Sequence, residues 1–509
     1  MYPADTVFHL LGKSADAEPA ILAPGRPALS HGGLRALAAA TVEQLNGLGI
    51  GRGDRVALVL PNGPEAATSF VAIACGAATA PLNPAYRAEE FDFYLSDLNA
   101  KALVIEAGMD SPSRAVAAAR GIPIVELVSD KNGPAGSFVL QPERPLSGTA
   151  ASPGFASAEE VALVLHTSGT TSRPKIVPLR HVNVTASAYH VGRSVELRPD
   201  DVCLNIMPLF HIHGLIAAVL SSLAAGAAVC CTPGFNALKF FQWFEDVRPS
   251  WYTAVPTMHQ AILGRAPRNA EIIKAGRLRL IRSSSASLPP QVMTELEAVF
   301  GAPVIEAYGM TEAAHQMASN PLPPRPRYSG CVGIAAGPEV GIMDEGGALL
   351  AAGELGEIVI RGRNVTAGYE NNPAANATAF TDGWFRTGDQ GVLDEAGYLR
   401  LTGRLKELIN RGGEKISPLE VDTVLMDHPA VAQVVTFGMA HPKLGEEVAA
   451  AVVLREGATA DERELRDFVA ARIADFKVPR KIVFLDEIPK GATGKLQRIG
   501  LAERLGVTP

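Results

Sequence analysis

Apolar positions along this chain alternate between two periods. Between residues 33 and 48, Leu34, Leu37, Ala38, Val42, Leu45 and Leu48 recur at helical spacing, which predicts a helix with one apolar face. Arg55–Leu60 then runs almost wholly apolar, as a strand buried on both faces requires. A helix over Pro64–Cys75, a strand over Thr79–Leu82 and a strand over Val161–Leu165 follow. The alternation resumes with strands at Val202–Met207, Ala227–Cys231, Trp251–Val255, Leu278–Ser283 and Val304–Ala307. Between them lie helices at Gly214–Ala225, Leu238–Val247, Thr257–Leu263 and Pro290–Phe300. This order predicts an α/β fold of mostly parallel sheets covered by helices, with ligands at the loops that leave the strands' C-terminal ends.

After about residue 330 the texture changes to short β-type runs between glycines, such as Gly356–Gly362 and Gly397–Gly403, which predict a small barrel-like or antiparallel unit. Beyond Gly403, short strands surround helices at Pro418–Met426 and Glu462–Ile473. About a hundred residues of mixed α+β make an independent unit. The expected division is therefore a large core over residues 1–403 and a small C-terminal domain over 404–509.

Composition narrows the class. With 509 residues, 47% of them hydrophobic, the chain has enough apolar material for more than one core. A net charge of −7 offers no basic footprint for a nucleic acid or an anionic membrane, so any anionic ligand must be held locally. The five cysteines form no C-x-x-C pair, which favours reduced thiols over disulfides or a zinc site. The opening residues carry no signal-peptide pattern and the last ones no S-K-L address, so the expected location is cytoplasmic. Leu215–Cys231 is apolar enough to raise the question of a membrane span, but its Ala, Gly and Ser content reads as a buried helix running into a strand.

Candidate chemistry concentrates where polar residues follow predicted strands. Leu165–Leu179 reads L-H-T-S-G-T-T-S-R-P-K-I-V-P-L. Thr167, Ser168, Thr170, Thr171 and Ser172 supply hydroxyls, Gly169 lets backbone N–H groups converge, and Lys175 adds a charge, a combination able to hold phosphate. It is not a Walker A loop, and taken alone it favours an ordinary Ser/Thr-rich turn. Further stretches are A-Y-G-M-T-E at Ala307–Glu312, W-F-R-T-G-D at Trp384–Asp389, G-R-L-K-E-L-I-N at Gly403–Asn410, R-G-G-E-K-I-S-P at Arg411–Pro418, and P-K-G-A-T-G-K-L-Q-R at Pro489–Arg498.

With those motifs in this order, the chain resembles the adenylate-forming superfamily of acyl-CoA synthetases, luciferases and amino-acid adenylation domains. The resemblance implies an ATP-dependent acid–CoA ligase that makes an acyl-adenylate with release of pyrophosphate, then passes the acyl group to CoA with release of AMP. It implies that the Thr167–Lys175 loop cradles the β- and γ-phosphates of ATP and that Tyr308 stacks on adenine. Ser285, Ala286 and the Glu306–Ala307 backbone would border the base, beside Gly309. Thr311 would touch phosphate, Glu312 would hold Mg²⁺, Asp389 would bind the ribose with Arg404 close by, and Lys495 would stabilise charge during adenylation. A hinge at Lys406 would present Gly412, Gly413, Glu414 and Lys415 for the CoA step. Two positions depart from the family pattern: Ile176 stands where glycine is usual and Cys331 where a small or polar residue is.

The family places the first histidine of P-L-F-H-I-H-G, here His211, beside the reacting carboxylate. His213 and His315 are additional candidates for the acyl site, with Ser285 and Gly309. The runs S-S-S-A-S-L at Ser283–Leu288 and M-T-E-A-A-H-Q-M-A-S-N-P-L-P at Met310–Pro323 resemble the oxalate–CoA ligases in particular, and a small dianion would suit polar and basic partners. The expected partners are thus a small carboxylic acid (oxalate first), ATP and CoA, with no nucleic acid and no membrane. The alternatives are a ligase for another short or medium-chain acid, an adenylation enzyme charging a carrier protein, or a scaffold with a dead site.

Overall fold

The computed structural model describes residues 4–146, 148–167, 174–491 and 496–507. Two large sheets carry the N-terminal part. In the first, seven strands run in the order Phe138–Pro142, Ile124–Ser129, Ala102–Glu106, Arg55–Val59, Ala78–Pro81, Val161–His166, Ile176–Arg180. The five central strands pair in parallel and each edge closes with an antiparallel strand. The second has nine strands in the order Ile334–Ala335, His315–Ser319, Val304–Met310, Leu280–Ser284, Trp251–Ala254, Val202–Asn205, Ala228–Cys231, Pro19–Leu22, Leu29–Ser30. Its centre is parallel, and strand order reverses around Val202–Asn205, as in doubly wound sheets whose ligands sit beyond the strands' carboxyl ends.

The helix Pro64–Ala74 packs against strands of both sheets and buries every residue but Glu65. That explains why its sequence is apolar all round rather than striped. Pro64 at the first helical position, where no backbone N–H is needed, starts it cleanly. The helix Pro290–Phe300 ends on Gly301 at φ 64°, a left-handed cap that favours glycine.

Residues 339–404 form a five-stranded antiparallel sheet, the small β unit anticipated from the sequence. A last five-stranded sheet (Glu414–Ile416, Ile409–Arg411, Gly445–Leu454, Val431–His441, Lys481–Phe484) lies with helices Pro418–Met426 and Glu462–Ala470 around a separate apolar core. All five cysteines are free and buried. Among the described residues, no helix is long and apolar enough to cross a membrane.

Two segments depart from expectation where the site lies. The helix expected at Gly214–Ala225 is π-wound over His213–Leu220 and turns α-helical only from Ser221. A side chain at Gly214 would meet the Pro208 carbonyl at 2.3 Å, so the chain enters this helix against the preceding backbone, and the wider turn starts there. The strand expected to stop at Ala307 continues to Met310 because it gains the antiparallel partner His315–Ser319, in register Tyr308 to Ala318 and Met310 to His315.

Candidate active site

The carboxyl ends of Leu280–Ser284 and Val304–Met310 bring two groups of side chains together. The first is polar and charged. After Met310, a single turn at Thr311–Ala313 reverses the chain through Ala314 and His315, at φ 48° and 100°. This sets Glu312 into the interior, where its Oε1 accepts from the Tyr369 hydroxyl at 2.8 Å. Lys175 lies with Nζ 4.2 Å from the centroid of the same tyrosine ring, a cation–π contact that ties the expected phosphate lysine to the expected metal carboxylate. Burial pushes the Glu312 carboxyl upward; the Tyr369 hydrogen bond and the charges of Arg404 and Lys175 pull the other way.

Asp389 and Arg404 face each other on adjacent strands, with Arg404 Nε 3.1 Å from Asp389 Oδ1. Asp389 Oδ2 accepts from the Tyr308 hydroxyl. Burial, reinforced by Asp389, holds the Tyr308 phenol well above its usual range, while Asp389 keeps Arg404 charged. Below them Glu306 is buried, accepts from the Gly330 N–H at 3.2 Å, and is pushed up to about 8 by desolvation.

The second group is basic and lies deeper. His213 is fully buried, with Nε2 2.6 Å from Thr253 Oγ1 and Nδ1 3.0 Å from Ser285 Oγ. Its ring meets the His315 ring edge-on at 5.1 Å. Ser285 holds φ 74°, a left-handed conformation at the end of its strand that aims the hydroxyl at the histidine. His211, half-buried, accepts the His213 N–H at Nδ1 over 3.4 Å. Gly309 closes this wall: an added Cβ would lie 1.8 Å from the His315 carbonyl oxygen.

The structure therefore gathers Lys175, Tyr308, Gly309, Thr311, Glu312, Asp389 and Arg404 around one strand end, and His211, His213, Ser285 and His315 beside it. Thr167 is tied across the loop base to Lys175, its N–H donating to the Lys175 carbonyl at 3.0 Å. Ser168, Gly169, Thr170, Thr171 and Lys495 lie outside the described residues. Ala286 is exposed one residue beyond Ser285, and Ala307 pairs with Ser284. Lys406 is an exposed turn residue, and Gly412 and Gly413 form a tight turn at φ 61° and 98° between Ile409–Arg411 and Glu414–Ile416. In that hairpin Glu414 is exposed and Lys415 reaches Glu345 at 3.7 Å.

Three participants escaped the sequence reading. Tyr369 follows a glycine in T-A-G-Y-E, a signal too short to stand out. Thr253 and Arg282 sit inside buried strands whose apolar neighbours mark them only as strand positions. Arg282 is fully buried, donating to Gln316 Oε1 at 2.9 Å and to Thr253 Oγ1 at 3.4 Å.

Two side-chain clusters at the carboxyl ends of a parallel sheet, followed by a separate C-terminal unit, are the architecture of an adenylate-forming enzyme. The chain belongs to the AMP-binding enzyme family: residues 13–370 match the AMP-binding enzyme model and 420–495 the model of its C-terminal domain. It is 47% identical to the probable CoA ligase CCL9 of Humulus lupulus over 98% of this chain and 96% of that one. It is 44% identical to an oxalate–CoA ligase of Arabidopsis thaliana over 97% and 98% of the two chains. The crystal structure of ATP-bound MatB from Rhodopseudomonas palustris superposes at a TM-score of 0.88 with 30% identity, covering 100% of this chain and 99% of that one. Within its family the protein is an AMP-forming acyl-CoA synthetase, an acid–thiol ligase acting on a carboxylate, ATP and CoA.

Proposed function

We propose that the acid is oxalate, activated as oxalyl-adenylate and then transferred to CoA. The observation that carries this reading is the composition of the buried cluster of His213, Ser285 and His315 beside Gly309. A hydrocarbon tail would have to displace His213, His315 and Ser285, whereas a second carboxylate can accept hydrogen bonds there. The oxalate–CoA ligase among the relatives supports the same choice.

In this reading the Thr167–Lys175 segment and Thr311 hold the triphosphate, Tyr308 flanks the adenine, and Asp389 accepts from the ribose hydroxyls while Arg404 fixes its orientation. Ser285, Ala286, Glu306, Ala307 and Gly309 form the rim of the base and acid pockets. Glu312 suits Mg²⁺: it is a buried carboxylate with one oxygen committed to Tyr369, outside any larger cluster of metal-ligating side chains among the described residues, the donor set of a cation whose shell substrate phosphates complete. Bound there, Mg²⁺ would offset phosphate charge as the carboxylate attacks the α-phosphorus. His211 borders the reacting carboxylate. Lys495 stabilises the developing charge, and most of the acceleration comes from positioning and charge neutralisation rather than covalent chemistry.

The small domain over 404–509 turns about Lys406, withdrawing Lys495 and presenting Gly412, Gly413, Glu414 and Lys415 to the thiol. The five buried thiols fit a reducing compartment, the cytoplasm.

Thioester formation across oxalate, malonate, acetate, isobutyrate and octanoate tests the substrate. Oxalate should give the highest kcat/KM. Preference for octanoate removes the oxalate reading, and pyrophosphate release without any CoA thioester would indicate a carrier protein as acceptor.

A further inference from the structure

Arg282 is the feature of this core that the reaction scheme leaves without a task. Its guanidinium is fully buried in the middle of a parallel strand, and no carboxylate pairs with it among the described residues. Its Nε has no partner among those residues either. Taking a cation out of water without a counter-charge costs several kcal/mol, and apolar replacements of buried ionic groups are often neutral or stabilising. A residue kept at that cost calls for a role other than packing.

The hydrogen bonds around it have a direction. Arginine carries only donors, so the 3.4 Å contact from Nη1 makes Thr253 Oγ1 an acceptor. The guanidinium leaves Thr253 Oγ1 one free lone pair and its own hydrogen, and by polarising the hydroxyl it favours donation over acceptance toward His213 Nε2 at 2.6 Å. With Nε2 accepting, the imidazole proton resides on Nδ1, 3.0 Å from Ser285 Oγ. Ser285 Oγ in turn accepts from His213, which leaves its hydroxyl hydrogen for another acceptor. Gln316 holds the other end: its Oε1 fixes Arg282 Nη2 at 2.9 Å while its Nε2 donates to Ser194 at 3.2 Å.

We propose that Arg282 is a positioning residue for acid specificity: through Thr253 it sets the Nδ1–H tautomer of His213, so that Ser285 presents a donor to the second carboxylate of a small dianionic acid. The inference rests on the oxalate reading for the identity of the acid, but not for the direction of the relay. Aligned dipoles running out from a buried charge reinforce one another in a low-dielectric interior, which suits an anion and disfavours a neutral tail. Without the guanidinium that polarisation is lost, and Thr253 accepts from His213 Nε2–H in preference to donating. The tautomer then reverses, and Ser285 turns its lone pairs toward the substrate.

The test compares wild type with Arg282→Met, Arg282→Lys and Thr253→Val. Nitrogen-15 spectra of histidine-labelled protein, with His213→Gln to assign the signals, report the tautomer directly. Wild type and Arg282→Lys should carry the proton on Nδ1, and Arg282→Met should carry it on Nε2. An unchanged tautomer in Arg282→Met overturns the proposal. In kinetics, Arg282→Met should raise KM for oxalate about tenfold or more, the scale of one charge-assisted hydrogen bond, with a much smaller change in kcat. Arg282→Lys should recover part of that loss. Thr253→Val should give a similar loss, and the Arg282→Met, Thr253→Val double variant should lose no more than either alone. Independent, additive losses, or equal losses for oxalate and isobutyrate, would refute the relay. The Arg282→Met melting temperature should hold or rise, since a buried charge is removed; a marked fall together with an unchanged tautomer assigns the residue to structure alone. Should wild type prefer an acid lacking a second charge, the oxalate reading fails while the tautomer measurement still decides the relay.

Discussion

Replacing Glu306 by glutamine isolates the effect of one buried carboxyl on stability. Glu306 lies on Val304–Met310, is 4% exposed, and accepts from the Gly330 N–H at 3.2 Å with no cation against it among the described residues. Burial raises its pKa from 4.5 to about 8. In the unfolded chain it ionises near 4.5; in the folded protein it keeps its proton until about 8. The folded state therefore binds more protons across that window. Its contribution to stability is fully present below pH 4.5 and is lost as pH rises through 8. At about 1.4 kcal/mol per unit the displacement sets a ceiling of roughly 5 kcal/mol, and water penetration and local relaxation bring the realised effect to about 2–3 kcal/mol. Glutamine has the shape of the protonated acid and no such titration. Thermal melts at pH 5 and pH 8.5 should show Glu306→Gln gaining on wild type by a few degrees between the two. A difference in melting temperature that does not change with pH would refute the assignment of a buried, uncompensated carboxyl.

Three further outcomes follow from the site. Asp389→Asn removes the anionic acceptor proposed for the ribose and the partner of Arg404, so KM for ATP in pyrophosphate exchange should rise about 10- to 100-fold; an unchanged KM argues that Asp389 only braces Tyr308. Lys495→Ala should cripple adenylation while leaving thioester formation from supplied acyl-adenylate much less affected, and equal loss of both half-reactions would make the lysine structural. On the acid side, burial holds His181 and His190 at about 4, so the stability they contribute is present above pH 6.5 and lost as pH falls toward 4. Denaturation of His190→Gln should accordingly depend less on pH between 4 and 6.5 than that of wild type.

The sequence was most legible where a strand is buried on both faces and followed at once by a helix. Arg55–Val59, Trp251–Ala254 and Pro290–Phe300 fall within a residue of the reading, because a continuous apolar run or a helical stripe leaves few alternatives. The strands Ala102–Glu106, Ile124–Ser129 and Phe138–Pro142 went unread, as did the helices Ala88–Asp97 and His181–Ser194. His181–Ser194 buries Asn183, Ser187 and His190 as well as its apolar residues, so burial there does not follow hydrophobicity. Glu312 and Asp389 were visible because each lies in a short run of glycine, hydroxyl and charged residues, A-Y-G-M-T-E and W-F-R-T-G-D, that apolar strand periodicity does not account for. Tyr369 and Arg282 were not, since each is defined by partners distant in sequence, Glu312 for Tyr369 and Thr253 and Gln316 for Arg282. The π-wound entry at His213 depends on contact with the Pro208 carbonyl, which no periodicity records.

Gly309 has a consequence for how this enzyme can change its choice of acid. The His315 carbonyl occupies the space where any side chain at Gly309 would begin, and the same short reversal carries Glu312 on one flank and His315 on the other. A mutation that reshapes the backbone to admit a bulkier acid therefore also moves Glu312, the carboxylate proposed to hold Mg²⁺, and is penalised twice. New substrate preferences in this scaffold should arise by exchanging the side chains at 213, 285 and 315 on an unaltered main chain. Directed evolution toward larger acids that returned replacements at Gly309 in place of those three would show the two pockets to be separable after all.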